Sequence, residues 1–401
     1  MFSILRFRSQ ANLVRSIAIK CCFSCSREGE ADSPSQRPIS TGVNGENINT
    51  SDIPLTHLSP PVRSQAGQNG FPARVTPLHR KIWRVRGIPD GFDKARLATI
   101  LQEHHYLRPS RGGIGNNVCR VRTLAPDLRG GQVATIRFRQ IPAKLRELKQ
   151  SDQLTIDADI PPGSTQGQPS FQTIRLTIDQ HFHGITVLFA PSARRHCIDL
   201  LAVPGLGGHP FGSFVDKGSG HMWLSDSLPQ DMAGARVMVY GYESALQDSA
   251  SFANLGDLAN SLRLGLRRVL GSGRPKCLIL IGHSLGGLLI KEALVRMADS
   301  YSDLALMKQV FGAVFFGVPN DGMEIESLIP MVNDQPNRFL LESLSAINSQ
   351  VLGLQARSFA TFLNRTAFEI FCFYEVKKSR TAAQVSSNPP LETQTCKVTV
   401  R

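Results

Sequence analysis

Hydrophobic residues in the second half of the chain occur in short apolar runs, separated by segments whose apolar residues have helical spacing. The runs that predict β-strands are Ile174–Ile178, Ile185–Phe189, Ile198–Val203, Arg236–Tyr240, Cys277–Ile281, Ala313–Gly317 and Phe368–Phe373. Helices are predicted between them at Leu255–Leu270 and Leu288–Ala298. Such alternation is typical of a mostly parallel sheet with helices on both faces. We therefore expect an α/β domain over residues 171–385.

A different pattern, in which strands and helices alternate less regularly, predicts a small α+β domain over residues 77–160. Its predicted elements are strands at Lys81–Gly87, Val118–Leu124, Gln132–Arg139 and Leu154–Ile156, and helices at Asp93–Glu103 and Ala143–Lys149. The order β-α-β-β-α is typical of a ferredoxin-like or RNA-recognition-type fold. RNA binding by such folds uses aromatic side chains on the central strands, and the third strand offers only Phe138. We expect a structural or partner-docking role and no nucleic-acid partner.

The chain begins with a basic segment and a polar linker. Residues 1–27 contain five basic residues and no acidic one, interleaved with apolar side chains, which predicts a mitochondrial targeting segment. The alternatives are a disordered tail, or an interfacial helix with palmitoylation at Cys21, Cys22 or Cys25. Residues 28–76 are rich in Ser, Pro, Gly, Asn and Gln and are predicted to be a disordered linker.

Composition limits the class of protein without identifying its partners. With 41% hydrophobic and 19% charged residues, the chain can bury a sizeable core. Its formal net charge of +13 favours acidic partners such as an anionic membrane, nucleic acid or import machinery. No run approaches the roughly 18 consecutive apolar residues of a membrane-spanning helix. Any membrane association is therefore expected to be peripheral or to involve the N-terminus.

The motif with the clearest chemistry is Gly282-His283-Ser284-Leu285-Gly286, followed by Gly287. A buried-strand run precedes it and an amphipathic helical pattern follows it, which is the strand-turn-helix context of a G-x-S-x-G nucleophile elbow. The glycines are explained by sterics, since residues two before and two after the serine would otherwise collide with the turn. We predict that Ser284 is a catalytic nucleophile. The alternative is a glycine-rich strand-to-helix turn without catalysis.

An acyl-transfer serine also needs backbone donors for the oxyanion. One predicted donor is the N–H of Leu285, directly after the nucleophile. The other is the N–H of Leu206, in the loop Pro204–Gly208 that follows the predicted strand Ile198–Val203. His209 lies just beyond this loop and is a candidate substrate-binding residue, although a loop histidine is more often structural.

At these residues the chain resembles the lipase-like serine esterases, which include the serine-active-site-containing proteins and relatives of the GPI inositol-deacylases. In fungi, this domain also occurs ahead of NACHT and ankyrin modules. The similar stretches are GLGGHPFGSF (205–214), WLSDSLP (223–229), ARVMVYGY (235–242), IGHSLGGLLIKEAL (281–294), FFGVPNDGM (315–323) and FEIFCFYE (368–375). They run in the family's order and cover roughly residues 183–380.

The resemblance implies an α/β-hydrolase fold, a Ser–Asp/Glu–His triad and hydrolysis of an ester or lipid substrate, with no metal and no organic cofactor. Mitochondrial or endoplasmic-reticulum membrane association is common in the family, and a cytoplasmic location is the alternative. Glu375, at the end of the last predicted strand, is the first candidate for the acid. Asp321, after the preceding strand, is the second.

Three features depart from the family's pattern. Pro204 stands where many relatives have a histidine, and Ser225 stands where a basic residue is usual. After Val385 the chain has an atypical tail, residues 386–401, where the family has the segment with the catalytic histidine. None of the ten histidines follows Ser284, although a serine hydroxyl is a weak nucleophile without a base.

The missing histidine has three explanations. The chain is truncated by alternative splicing or misprediction, and an intact form is catalytic; or it is a non-catalytic interaction or signalling module; or an upstream histidine, His209 or His221, serves in a rearranged site. Apolar residues over Met323–Leu363 predict helices that cap the site and offer an acyl-binding surface, with ordinary core helices as the alternative.

Overall fold

The computed structural model describes residues 81–107, 119–149, 152–160, 172–273, 276–332, 334–347, 349–374 and 398–400. The strands are β1 (Trp83–Ile88), β2 (Cys119–Pro126), β3 (Gln132–Phe138), β4 (Gln153–Ile160), β5 (Gln172–Asp179), β6 (Gly184–Phe189), β7 (Ile198–Val203), β8 (Ala235–Gly241), β9 (Cys277–His283), β10 (Val310–Phe316), β11 (Glu369–Phe373) and β12 (Val398–Val400). The α-helices are α1 (Lys94–Glu103), α2 (Ala143–Arg146), α3 (Trp223–Asp226), α4 (Leu228–Asp231), α5 (Leu255–Leu270), α6 (Leu285–Ala298), α7 (Leu304–Met307), α8 (Arg338–Glu342) and α9 (Gln350–Arg365).

The larger sheet has the strand order β12-β11-β10-β9-β7-β8-β6. Its strands from β7 to β11 pair in parallel, whereas β6 runs antiparallel to β8 and β12 runs antiparallel to β11. Every residue of β7 is buried, because one hydrophobic cluster covers each face of the sheet. The expected α/β architecture, with a mostly parallel sheet and helices, is therefore present.

Helices α5 and α6 pack side by side on one face of this sheet. Helix α5 begins at a capping box, in which the Asn254 side chain accepts from the Asp257 N–H and the Asp257 carboxylate accepts from the Asn254 N–H. Leu258, Leu262 and Leu266 recur at helical spacing and are buried against the sheet. Helix α6 starts immediately after Ser284, so the nucleophile candidate lies at the boundary between β9 and α6.

The smaller sheet is antiparallel, with the order β2-β3-β1-β5-β4. The prediction that residues 174–178 begin the parallel sheet was wrong, because β5 pairs with β1 and β4. The sequence holds the reason, since Ile174, Leu176 and Ile178 are buried while Thr173 and Arg175 are exposed. This alternation is typical of a strand with one buried face in an antiparallel sheet.

The two faces of the smaller sheet have different neighbours. Ala134 and Ile136 of β3 belong to the cluster that packs against α1 and α2. Val133 alternates with them and therefore points to the other face, where it joins the main core of the larger sheet. Arg84 of β1 likewise bonds Thr186 of β6. The face of the small sheet opposite its helices is therefore covered by the larger sheet.

The segment after β10 is less helical than predicted. Between Met323 and Leu363, the described helices are a 3-10 turn at Ile329–Met331, the short α8 and the 16-residue α9. Two prolines, Pro330 and Pro336, interrupt the first part, and proline cannot continue a helix hydrogen-bond ladder. This part has a small apolar cluster of its own, centred on Ile325, Val332 and Leu341, which we call the cap cluster. Helix α9 instead contributes to the main core.

The predicted targeting segment 1–27 and the linker 28–76 lie outside the described residues. Of the tail 386–401, only β12 is described. None of the described helices combines the length and the hydropathy that a membrane-spanning helix requires.

Candidate active site

Ser284 occupies a strained turn between β9 and α6. Its φ of 50° and ψ of −125° place a non-glycine residue at positive φ, where the Cβ atom is crowded by the backbone. The Ser284 N–H donates to the Phe316 carbonyl at 2.9 Å, and the Ser284 carbonyl accepts from the Gly287 N–H at 2.9 Å. These bonds hold the turn at the end of the strand, which is the geometry of a nucleophile elbow.

The glycines around Ser284 are required by contacts with backbone. A Cβ atom at Gly282 would lie 2.7 Å from the Gly287 Cα. A Cβ atom at Gly286 would collide with the carbonyl oxygens of Val203 and Pro204. The steric argument for small residues two before and two after the serine is therefore confirmed, and it ties the start of α6 directly to the end of β7.

The loop Pro204–Gly208 lies against the serine and is held by residues that directly follow β8. A Cβ atom at Gly205 would come within 2.8 Å of the Ser284 Cβ. The Tyr242 hydroxyl donates to the Pro204 carbonyl at 2.9 Å, and burial raises the pKa of Tyr242. The Gly207 N–H donates to the Ser244 carbonyl at 2.6 Å, so this amide is not available to a ligand.

The two predicted oxyanion donors lie on either side of this contact. Leu285 is the first residue of α6, where backbone N–H groups have no intrahelical acceptor and the helix dipole favours negative charge. Leu206 follows Gly205, and its side chain packs against the cap cluster. Within the described ranges, neither the Leu206 nor the Leu285 N–H forms a hydrogen bond. Their role as donors stays a prediction.

The described contacts of His209 are structural. Its Nδ1 accepts from the N–H groups of Phe211 and Gly212, at 3.1 and 3.0 Å, so Nε2 carries the proton and donates to the Gln180 carbonyl at 2.8 Å. Burial lowers the pKa of His209, which favours this neutral form. Both ring nitrogens are thus engaged with protein backbone, and a contact of His209 with substrate stays a prediction.

His221 lies beside a different serine. Its Nε2 is 2.8 Å from the Ser227 Oγ, and its Nδ1 is 3.8 Å from the Asp226 carboxylate. The sequence analysis did not identify Ser227, although its spacing of six residues from His221 was available. No described contact joins His221 to Ser284.

The two acid candidates follow β10 and β11 in the sequence. Asp321 is exposed in the loop after β10, and Glu375 lies outside the described residues. The neighbouring Asn320 accepts a hydrogen bond of 2.5 Å from the Lys291 ammonium on α6. That ammonium lies 5.3 Å from the centre of the Phe315 ring and 5.0 Å from that of Phe359, and burial lowers the pKa of Lys291.

Sequence reasoning missed Lys291, which follows Ser284 by seven residues and therefore lies two helical turns along the same face of α6.

Within the part of the chain that the structure describes, the Ser284 hydroxyl makes no hydrogen bond. The described residues also contain no group of three or more His, Cys, Asp or Glu side chains placed to hold a metal ion.

No family model matches the chain, and no curated protein shows significant sequence similarity to it. Similar solved structures are serine hydrolases. The lipase BlEst2 of Bacillus licheniformis, in its mature form, is 16% identical over 45% of this chain and 66% of that chain, with a TM-score of 0.32. The phospholipase PlaB of Legionella pneumophila, in complex with thio-NAD, is 15% identical over 44% and 37%, with a TM-score of 0.33.

A cutinase of Trichoderma reesei in complex with a phosphonate inhibitor is 20% identical over 41% of this chain and 77% of the cutinase, with a TM-score of 0.23. The chain thus spans less than two thirds of the lipase and of the phospholipase. These neighbours are α/β-hydrolases, and at such identities and TM-scores the similarity carries no argument about substrate or activity.

Proposed function

We propose that this chain carries a lipase/esterase-like serine hydrolase site, with Ser284 as its nucleophile. The observation that supports this most directly is the strained backbone at Ser284, held between β9 and α6 by glycines that contact backbone. A strained turn costs free energy and persists only where surrounding packing imposes it. Such a turn projects the serine hydroxyl from the end of the sheet, where an ester carbonyl can approach it.

In the proposed reaction, the Ser284 Oγ bonds to the ester carbonyl carbon while its proton passes to a base. The N–H groups of Leu206 and Leu285 stabilise the negative oxygen. The carbon–oxygen bond to the alcohol then breaks, and the alcohol leaves with the proton held by the base. Water hydrolyses the acyl-serine by the same steps. Asp321 or Glu375 is the proposed acid that orients the base.

The proposed substrate is an ester with an apolar acyl group, such as a lipid ester. The support is the cap cluster. Leu206 belongs to the loop Pro204–Gly208, which we call the oxyanion loop, and it packs against this cluster together with half-buried side chains. These are Leu246, Met323, Leu328, Ile329 and Met331. Apolar side chains of this kind favour an alkyl chain over a charged group. The resemblance to the serine-active-site-containing proteins and the GPI inositol-deacylase relatives agrees with this substrate class.

We further propose peripheral association with a mitochondrial or endoplasmic-reticulum membrane, with the cytoplasm as the alternative location. The smaller sheet is proposed to be ferredoxin-like, since β2, β3, β1 and β5 keep the order of that fold and β4 adds an edge strand. No nucleic-acid partner is proposed, because the sheet face that such folds use to stack bases is covered by the larger sheet.

The second candidate function is a non-catalytic interaction or signalling module. Two observations favour it. His209 and His221 form hydrogen bonds to groups other than Ser284, and the Ser284 hydroxyl has no hydrogen-bond partner among the described residues. The first candidate requires a general base for Ser284, and the described hydrogen bonds of His209 and His221 lead to other partners.

The two candidates are separated by labelling the 401-residue chain with a fluorophosphonate probe, which reacts with activated serines. Ser284→Ala removes the proposed nucleophile. Ser227→Ala is the matched control, because Ser227 is the serine that contacts a histidine. Labelling that disappears only in Ser284→Ala supports the hydrolase. A folded chain that is not labelled supports the non-catalytic module.

A further inference from the structure

A buried polar cluster lies where the two sheets meet. The Arg84 guanidinium of β1 donates from Nε to the Asp179 carboxylate of β5 at 2.9 Å, and its second terminal nitrogen lies 2.9 Å from the same oxygen. It also donates to the His183 carbonyl at 3.0 Å and to the Thr186 hydroxyl of β6 at 2.9 Å. Arg84 is 2% exposed and Asp179 is fully buried. One side chain of the smaller sheet therefore bonds both the end of β5 and the start of the larger sheet.

The chain between these sheets, residues 179–183, which we call the junction segment, is tightly constrained. Phe182 has a φ of 55° and is fully buried, and its N–H donates to the Asp179 carboxylate at 2.9 Å. The Phe182 carbonyl lies so close to Gly241, at the end of β8, that a Cβ atom there would collide with it. A non-glycine residue at positive φ in a buried site persists only when its surroundings fix it.

The junction segment also holds the far end of the oxyanion loop. His209 donates to the Gln180 carbonyl at 2.8 Å, and its ring lies edge-on to that of Phe182, with ring centres 4.9 Å apart. His209 directly follows Gly208, and the Gly208 carbonyl accepts from the Ser244 hydroxyl. A continuous set of contacts therefore runs from Arg84 through the junction segment to the loop that lies against Ser284.

We propose that His209 is a positioning residue. Its bond to Gln180 connects the oxyanion loop 204–208 to the junction segment, which Arg84 fixes to the smaller sheet. The smaller sheet thereby helps to orient this loop. This inference rests on the proposed function for its catalytic consequence. The donor that it positions is the Leu206 N–H, three residues before His209. A movement of this loop by about 1 Å is enough to weaken transition-state stabilisation strongly.

Two conservative substitutions separate the two bonds of His209. Asparagine places its oxygen near the position of Nδ1, so His209→Asn retains an acceptor for the Phe211 and Gly212 N–H groups and loses the reach to Gln180. Glutamine places its amide nitrogen near the position of Nε2, so His209→Gln retains a donor to the Gln180 carbonyl. The inference therefore predicts that His209→Gln behaves more like the parent than His209→Asn does.

The first measurement is hydrogen–deuterium exchange of the amides at residues 205–208, which does not depend on activity. We expect about tenfold faster exchange in His209→Asn, from the loss of one buried hydrogen bond, and a smaller change in His209→Gln. Arg84→Lys, which keeps the charge but cannot make all the bonds of the guanidinium, is expected to speed exchange at the same amides. Arg175→Met is the matched control, because Arg175 forms an exposed pair with Asp157 on the same sheet.

The second measurement is the rate of fluorophosphonate labelling of Ser284 in the same variants, which should fall in His209→Asn and recover in His209→Gln. If Ser284 is not labelled in any variant, the proposed function fails and the exchange data still test the positioning. Equal exchange at 205–208 in the parent, His209→Asn and Arg84→Lys would overturn the inference. Faster exchange in His209→Gln than in His209→Asn would also overturn it, since the local turn and not Gln180 would then be the anchor.

Discussion

On the side of Ser284 that faces β7, the backbone of α6 lies directly against backbone. On the side that faces β10, Ser284 makes one backbone hydrogen bond to Phe316, and the contacts of α6 run through side chains. Gly286 leaves no space for a Cβ atom between α6 and the carbonyls of Val203 and Pro204. On the other side, the Lys291 ammonium bonds Asn320, and the next residue, Asp321, is exposed. Close backbone packing has few alternative arrangements, while long side chains have many.

This difference separates the parts of the proposed site by how firmly each is held. The proposed nucleophile and the proposed oxyanion donors belong to the rigid side, where their geometry is set before a substrate binds, as electrostatic stabilisation requires. Asp321, one of the two proposed acids, belongs to the other side, which can adjust. The comparison therefore predicts large effects for small changes near β7 and small effects for larger changes near β10.

The largest effect is expected for Gly286→Ala. The added methyl group meets two backbone carbonyls that cannot move without shifting β7 or α6, so we expect a loss of about 3 kcal/mol in the free energy of unfolding. The matched control is Gly353→Ala in α9, where the nearest atom to an added Cβ is an Arg357 nitrogen at 3.9 Å. This control should gain about 0.5–1 kcal/mol from helix propensity. Urea unfolding measures both changes, and equal effects would refute the comparison.

A smaller effect is expected when the pH is lowered, and it should begin in the junction segment, which bonds His209 just after the loop that follows β7. The junction segment carries His181, whose pKa burial lowers to about 4 despite the nearby Asp179, with His183, Arg84 and Arg86 opposing its protonation. The unfolded chain binds the proton near the ordinary histidine value of about 6.5. Because the folded pKa is the lower one, stability is full above about pH 6.5 and falls as the pH drops toward about 4.

The substitution that tests this pH dependence is His181→Asn, which keeps an acceptor for the His183 N–H, now bonded to the His181 Nδ1 at 3.0 Å, and removes the titration. We expect the melting temperature to fall less steeply between about pH 6.5 and 4 than in the parent. The control is His105→Asn, since His105 is exposed. An unchanged slope in His181→Asn would assign the acid sensitivity to other groups.

The smallest effect is expected for Lys291→Met on the β10 side. Methionine keeps the apolar stem against Phe315 and Phe359, and loses the ammonium with its bond to Asn320. Because burial of the charge offsets part of what these contacts contribute, we expect a change within about 1 kcal/mol, measured by urea unfolding. A loss comparable to that of Gly286→Ala would mean that both sides of Ser284 are held equally firmly.

The sequence predicted most of the elements, and it failed where sheet membership had to be chosen. Helix α5 has the predicted bounds, Leu255–Leu270, because its apolar stripe is regular and Asn254 caps it. Strand β5 was predicted as a strand but assigned to the wrong sheet. Its alternation of apolar and polar residues indicates an antiparallel sheet, but its partners β1 and β4 are known only from the pairing in the folded chain. The whole cap, Met323–Leu363, was predicted to be helical from its apolar content, although Pro330 and Pro336 allow only short helices in the part before α9.

By itself, the sequence determined the elbow at Ser284, because the glycines that a serine at positive φ requires lie within three residues of it and the buried strand and helix adjoin it. The tertiary structure alone decided the roles of His209 and Arg84. His209 bonds a carbonyl 29 residues away, and Arg84 pairs with a carboxylate 95 residues away. The free energy of such contacts depends on burial and on partners brought together by folding, and no local pattern in the chain encodes either.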